Sequence, residues 1–197
     1  MKRTFDLLLA VPAAVLTAPL IAVLCLLIRL GSPGDPIFTQ VRAGRDGEPF
    51  RIFKLRTMVA GAQSFGAGDA VLPDDARITR IGRWLRRTSL DEIPNLWNVV
   101  RGEMSIVGPR PTLPGQVTQY TPRQWTRLNV RPGMTGWAQV NGRAALSWPE
   151  RIELDIYYVE HHSLWLDLQI LARTVVTLLG GHGLYHEGEG GGWVTPS

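Results

Sequence analysis

Residues 7–28 run for about 22 positions without a charged side chain, enough for a helix to cross the hydrocarbon core of a bilayer at 1.5 Å per residue. A soluble core helix of that length, apolar all round, is unusual. The run is too long for the apolar part of a secretory signal and lacks a convincing small-x-small cleavage site, so a segment that stays in the membrane is expected. Its orientation is contradictory. Lys2 and Arg3 flank one end, and Arg29 followed by an arginine-rich stretch flanks the other, whereas a single span should keep its basic residues on one side. A helix that enters and leaves through the same face removes the contradiction. Pro12 and Pro19 are candidate break points, because each removes a backbone donor and clashes with the preceding turn. Prolines also kink ordinary spans, so the residues alone leave spanning and re-entry both open.

The remainder of the 197-residue chain suits one domain plus this accessory segment. Its positive charge is almost all arginine, Lys2 and Lys54 being the only lysines. Arginine forks onto phosphate and carboxylate oxygens, so the bias favours phosphate recognition, although a high-GC genome produces the same bias. Distribution says more: residues 42–131 carry about fifteen basic against about eight acidic side chains, and residues 132 onward about three against about seven. The lone Cys25, inside the apolar run, excludes an internal disulfide and fits a reducing compartment.

At the centre of the basic stretch stands Thr88-Ser89-Leu90-Asp91-Glu92-Ile93-Pro94. Ser89 and Glu92 have the form of a capping box. Pro94 then falls where a donor is needed, whereas Asp91 as the cap would put it harmlessly in the first turn. Either way the helix dipole favours ionised carboxylates. A carboxylate among arginines can be a nucleophile, a metal ligand or half of an ion-pair network, and a plain helix cap is the alternative.

The flanking elements read as follows. Short β-rich runs on either side of Asp46-Gly47 predict a hairpin, with Lys54 and Arg56 on one face of its second strand, facing solvent or an anion. Residues 60–73 read as a surface loop. Ile78, Ile81 and Leu85 at helical spacing among Arg77, Arg80, Arg83, Arg86 and Arg87 predict a basic amphipathic helix suited to a membrane surface. Nucleic acid is disfavoured as a partner by the acidic pair that follows and by the inserted N-terminus. Residues 90–100 continue as a short apolar helix. Pro109 and Pro111 fix the backbone around Arg110 and so aim its guanidinium, an ordinary loop arginine being the alternative.

Thr121-Pro122 opens a helix to about residue 128. Residues 131–143 are rich in turn-formers and amides, and their glycines permit close backbone approach. Ser147 caps a helix to about residue 161, whose Glu150 and Glu153 are more ordinary as exposed carboxylates than as metal ligands. Ser163 opens an apolar segment, interfacial or core, that contains Asp167 and Arg173. His182 and His186 have the spacing of a zinc pair without its glutamate. No Walker loop, dinucleotide fingerprint, Ser-His-Asp set or cysteine metal knot is present.

Taken in order, the proline-containing apolar helix, Lys54-Leu55-Arg56-Thr57-Met58, Ser89-Leu90-Asp91-Glu92, Gly108-Pro109-Arg110-Pro111 and Arg131-Pro132-Gly133-Met134-Thr135-Gly136-Trp137-Ala138-Gln139-Val140-Asn141-Gly142-Arg143 resemble the bacterial sugar transferase family, and within it the small monotopic phosphoglycosyl transferases. The resemblance implies transfer of a phospho-sugar from a UDP-sugar to polyprenyl phosphate with release of UMP, in membrane lipid at the cytoplasmic face of a bacterial inner membrane. It implies Asp91 as the nucleophile, and Glu92 with Asp91 as ligands of Mg2+. It further implies Arg110 as the main phosphate clamp, with Arg86, Lys54 and Arg143 as further phosphate or donor contacts. No nucleic acid is implied, and a homodimer is left open. The implied fold is α+β, mainly helical, and monotopic. A re-entrant helix over residues 1–30 has its break at Ala18 and Pro19, where the family has a serine before the proline; Thr17 stands next to the pair as a substitute hydroxyl. A catalytic domain over 31–180 contains a small β-hairpin and interfacial amphipathic helices, and a flexible Gly-rich tail covers 181–197. The competing function is a membrane-tethered basic scaffold that binds anionic lipids without catalysis.

Overall fold

The structure, a computed structural model, describes residues 1–62, 75–142 and 146–180, with positions 179 and 180 described by their backbone alone. Arg143, His182, His186, the Gly-rich tail and most of the loop over 60–73 lie outside the described residues.

The apolar run forms α1, Lys2–Gly31, an unbroken helix about 45 Å long. Among the described residues it is the one helix long and apolar enough to cross a membrane. Ala18 and Pro19 do not end it. Pro19 lacks the N–H that would bond back one turn, yet helix continues on both sides because both halves are packed against the rest of the chain. The Thr17 hydroxyl donates to the Ala13 carbonyl at 2.7 Å, a back-bond that favours bending at this turn.

One stripe of α1 faces protein along its whole length. Ala10, with Ala13 and Ala14 beside it, packs with Phe50, Ile52, Leu96, Val99 and Met104. Leu24 and Ile28 pack with Leu55 and Leu85. The remaining faces, including Leu8, Val15, Leu16, Leu20, Val23 and Leu26, are exposed. Polar groups latch both ends. The buried Asp6 carboxylate accepts from the Ser105 hydroxyl at 2.9 Å and the Ile106 N–H at 3.1 Å. Arg3 donates to the Val99 and Val100 carbonyls near a helix C-terminus, where a cation is favoured. Lys2 pairs with buried Asp167 at 2.7 Å. At the far end Arg56 donates to the Ser32 and Pro33 carbonyls.

The expected hairpin is present: β1 (Ile37–Ala43) pairs antiparallel with β2 (Pro49–Leu55), with Ile37 opposite Leu55 and Ala43 opposite Pro49. Its turn places both Asp46 and Gly47 at positive φ, as an Asp-Gly turn requires. Lys54 and Arg56 do not serve a common ligand, however. Arg56 lies past the end of β2 and its guanidinium is committed to the loop after α1. The basic helix is α2, Arg80–Thr88. The apolar helix expected over 90–100 divides into a 3₁₀ segment, Leu90–Asn95, and α3, Leu96–Arg101, because Pro94 cannot donate within a regular α-helix.

Strand β3 (Ser105–Val107) pairs parallel with β4 (Gly133–Thr135). What the glycines of this segment approach is the chain itself: a Cβ on Gly133 would lie 2.0 Å from the Gly108 nitrogen. Between the strands stand α4 (Pro114–Val117) and α5 (Pro122–Trp125). Thr121 and Gln124 form a reciprocal cap on α5, which runs on as a 3₁₀ turn to Leu128. After α6 (Trp137–Val140), α7 spans Trp148–His161 and α8 Leu164–Gly180. On α8 Leu166 and Ile170 are buried with Val107 and Tyr158, while Trp165, Val175 and Val176 are exposed. Asp167, the charge in that apolar helix, accepts from the Tyr158 hydroxyl at 2.7 Å as well as from Lys2.

The latch at the start of α1 is testable. Asp6→Ala leaves the Ser105 hydroxyl and Ile106 N–H buried without an acceptor, at a cost of about 1–3 kcal/mol. The melting temperature of the detergent-solubilised protein should fall by about 5 °C, and an unchanged transition would show that the carboxylate does not hold the helix.

Candidate active site

Helix α2 starts at Thr79, whose hydroxyl accepts from the Gly82 N–H at 2.9 Å, and ends where Ser89 turns left-handed at φ 55. That reversal starts the 3₁₀ segment and brings Asp91 and Glu92 against β2. Two buried asparagines fix the register: the Phe53 N–H donates to Asn95 Oδ1 at 3.2 Å and to Asn98 Oδ1 at 3.3 Å. Asn98 also donates to the Arg51 carbonyl at 2.7 Å. The only cue to this role in the linear order is two amides in an apolar stretch.

Ser89 makes no capping bond, and the expected box with Glu92 is absent. The Glu92 carboxylate is taken by cations instead. Its Oε1 accepts from Lys54 Nζ at 2.6 Å and from Arg110 at 2.9 Å. Asp91, beside it, makes no hydrogen bond or ion pair among the described residues. The pair is therefore electrostatically split. Burial opposes ionisation of Glu92, but the charges of Arg110 and Lys54, and hydrogen bonds from both, hold its carboxyl well below the usual range. Burial, then the Glu92 charge, pushes Asp91 above the usual aspartate range against the pull of Lys54, Arg86 and Arg110. The dipole that should ionise both is outweighed by desolvation and by the neighbouring carboxylate.

Lys54, Arg86, Arg110, Asp91 and Glu92 are thus brought together. Arg86 is oriented by a bond from its Nε to the Thr57 hydroxyl at 2.8 Å. Arg110 keeps about half of its side chain exposed, free to meet a ligand as well as Glu92. Its backbone is pinned from several sides: Gly108 N–H to the Thr135 carbonyl and Gly133 N–H to the Pro109 carbonyl, both 2.8 Å, and Ala43 N–H to the Thr112 carbonyl, 2.9 Å. Arg127 adds a bond to the Arg110 carbonyl at 3.1 Å. The corner that carries Arg110 is therefore held by the parallel strand pair, by β1 and by Arg127. A cavity of about 30 Å³ lies between Lys54, Glu92, Asn95, Arg110 and Met134.

Sequence reasoning missed the buried Arg127–Asp155 ion pair, to which Tyr120 adds its hydroxyl and Trp148 its ring face at 5.7 Å. The available signal was Asp155 on the same helical face as Ile152 and Ile156, where an unpaired carboxylate would be costly. Glu150 and Glu153 have ordinary duties, with Ser147 and Arg123 respectively. Ala18 and Pro19 are exposed on α1.

The sequence profile of the bacterial sugar transferases matches residues 1–181. The chain belongs to this family. It is 44% identical over 184 residues to the sugar transferase EpsL of Bacillus subtilis, covering 93% of this chain and 90% of that one. It is 45% identical over 186 residues to the UDP-glucose:undecaprenyl-phosphate glucose-1-phosphate transferase of Caulobacter vibrioides, covering 90% of this chain and 69% of that one. It is 40% identical over 199 residues to the UDP-galactose-lipid carrier transferase of Erwinia amylovora, where it spans only 42% of the relative's length. The shared part therefore includes both the apolar helix and the carboxylate pair.

Removing one half of the Arg127–Asp155 pair strands a buried charge. Arg127→Met should destabilise the protein by about 3–5 kcal/mol, whereas the same change combined with Asp155→Leu should restore most of that. Additive losses in a denaturation cycle would show that the two do not act as a pair.

Proposed function

We propose that this chain transfers a phospho-sugar from a UDP-sugar to polyprenyl (undecaprenyl) phosphate, releasing UMP, through a covalent intermediate on Asp91. The observation that carries the reading is the division of labour in the dyad: Glu92 is held by Lys54 and Arg110, and Asp91 next to it is uncommitted. Names of relatives add support, two being called transferases of a sugar 1-phosphate or sugar phosphate to undecaprenyl phosphate.

In the first step an Asp91 oxygen attacks the phosphorus that carries the sugar. The bond to the bridging oxygen breaks, UMP leaves, and an acyl phosphate remains on Asp91. In the second, an oxygen of the lipid phosphate attacks the same phosphorus, which frees the carboxylate and yields a polyprenyl diphosphate sugar. The soluble donor and the lipid acceptor then never need to be bound together. Two anions must approach each other in each step, and Arg110, Arg86 and Lys54 are the cations disposed around the dyad to offset that charge.

Among the described residues no cluster of three metal-ligating side chains occurs. Mg2+ nevertheless fits the donor set, since it binds through one or two carboxylates completed by substrate phosphates and water. Glu92 and Asp91 would hold it, and it would supply further neutralisation of the phosphoryl oxygens.

The way α1 is held supports a monotopic, re-entrant setting. Polar latches at both of its ends reach the same domain, and a protein-facing stripe runs the length of the helix between them. A transverse span would carry one of those ends, with the residues it holds, to the opposite side of the bilayer. Arg29 and the arginine-rich domain favour the cytoplasmic face of the inner membrane.

Asp91→Asn keeps the shape of the side chain and removes its nucleophilicity. UMP release from the active member of a UDP-sugar panel, with polyprenyl phosphate and Mg2+ present, should fall by at least about 10³-fold, and chelation of Mg2+ should stop the wild-type protein. Turnover of the asparagine variant at the wild-type rate would rule out Asp91 as the nucleophile. A wild-type protein inert toward every UDP-sugar, yet bound to anionic vesicles, would favour the scaffold instead.

A further inference from the structure

The cavity of about 30 Å³ beside Glu92 has a third cation in its wall, Arg42, together with Lys54 and Arg110. It comes from the first strand of the hairpin. Side chains alternate along a strand and directly opposed residues share a face, so the pairing of Arg42 with Phe50, Gln40 with Ile52 and Phe38 with Lys54 puts Arg42, Ile52 and Lys54 on one face. All three line the cavity. Gln40, on the same face, accepts from Arg42 Nη2 and so orients the guanidinium through a neutral group. The next residue, Ala43, donates its N–H to the Thr112 carbonyl at 2.9 Å. The strand that carries Arg42 and the corner that carries Arg110 are therefore bonded to each other.

Charge and size limit what this cavity can take. Among the described residues three cations and one carboxylate, Glu92, stand in its wall, so its field favours an anion. A water-sized sphere needs about 10–15 Å³ of such space, so about 30 Å³ takes about two oxygen atoms. One edge of a phosphate group has that size, and a guanidinium meets such an edge with two parallel N–H donors. A sugar ring or a pyrimidine is too large and stays outside. Position then separates the two phosphates of a UDP-sugar. Among the described residues Glu92 lines the cavity and Asp91 does not, whereas the phosphorus to be transferred has to meet Asp91. Lys54 enters at the Glu92 end, 2.6 Å from that carboxylate, and Arg42 stands four strand positions further along the face.

We infer that the Arg42 guanidinium seats the phosphate that departs with UMP. The inference rests on the proposed reaction and adds a residue to its donor site. In the first step the bridging oxygen keeps the electron pair of the bond that breaks, so negative charge grows on the UMP phosphate. Attacking and leaving oxygens lie roughly in line, which puts that phosphate on the side of the transferred phosphorus away from Asp91. Arg42 meets the growing charge there with a cation whose direction is already fixed.

Equilibrium binding of UMP and of uridine to the full-length protein in detergent compares the nucleotide with and without its phosphate, and needs no turnover. Arg42→Gln should weaken UMP at least about tenfold, the worth of a hydrogen bond to a charged group, and leave uridine within about twofold. Arg42→Lys keeps the charge and the apolar stem but loses the fork, so it should weaken UMP by at least about threefold, again without moving uridine. Unchanged UMP binding in Arg42→Gln overturns the inference. Equal losses of UMP and uridine in both variants show a structural role for Arg42 and overturn it too. A raised KM for polyprenyl phosphate beside unchanged UMP binding gives the cavity to the lipid phosphate, with the same consequence. A wild-type protein that binds neither UMP nor any UDP-sugar overturns the proposed reaction itself.

Discussion

One carboxylate oxygen, Oε1 of Glu92, joins three parts of the chain. Lys54 reaches it from the hairpin and Arg110 from the loop between β3 and α4, at 2.6 and 2.9 Å. Two cations so close repel each other, and with the anion between them they form a positive field of fixed position. That field is partly desolvated, where charge interactions are stronger than in water. Asp91 is then left with burial, an anionic neighbour and no hydrogen-bond partner. Such a carboxylate is less well solvated than one in water.

The supports around this trio are mostly neutral. Asn95 and Asn98 tie the 3₁₀ segment and α3 to β2 by accepting from the Phe53 N–H, and the β3–β4 pair carries the Pro-Arg-Pro corner. The exception is the Arg127–Asp155 pair, which sits behind Arg110 and donates to its carbonyl. A buried ion pair is weak evidence for stability, so what matters about this one is where it sits. Here the backbone it fixes is that of the arginine aimed at Glu92.

Helix α1 is a wall of the catalytic domain and not an appendage. Asp6, Arg3 and Lys2 bind α3, β3 and α8 at its start, and the loop after its end is held by Arg56. The same helix lines an apolar groove that opens beside Pro94. Exposed hydrophobic surface and hydrophobic surface turned toward protein are thus opposite sides of one apolar cylinder, and the polar latches decide which side is which.

Much of this was readable in advance where the signal is local. A helix of 30 residues, an Asp-Gly hairpin, caps at Thr121 and Ser147, and an Asp-Glu pair among arginines all depend on residues within a few positions of one another. The misreadings came where distant groups compete for a local partner. Ser89 and Glu92 have the spelling of a cap, but Lys54 and Arg110, 38 and 18 residues from Glu92, outbid a serine hydroxyl because charge-assisted bonds are stronger. Arg56 shares the alternation of Lys54, yet the strand stops at Leu55 and releases it to the loop after α1. The sequence by itself determined the long apolar helix, the hairpin and the place of the Asp-Glu pair among arginines, since periodicity and capping act over a few residues. Only the tertiary structure decided which carboxylate is clamped and which is left free, and that an apolar groove adjoins them, because both depend on contacts between segments that the linear order keeps apart.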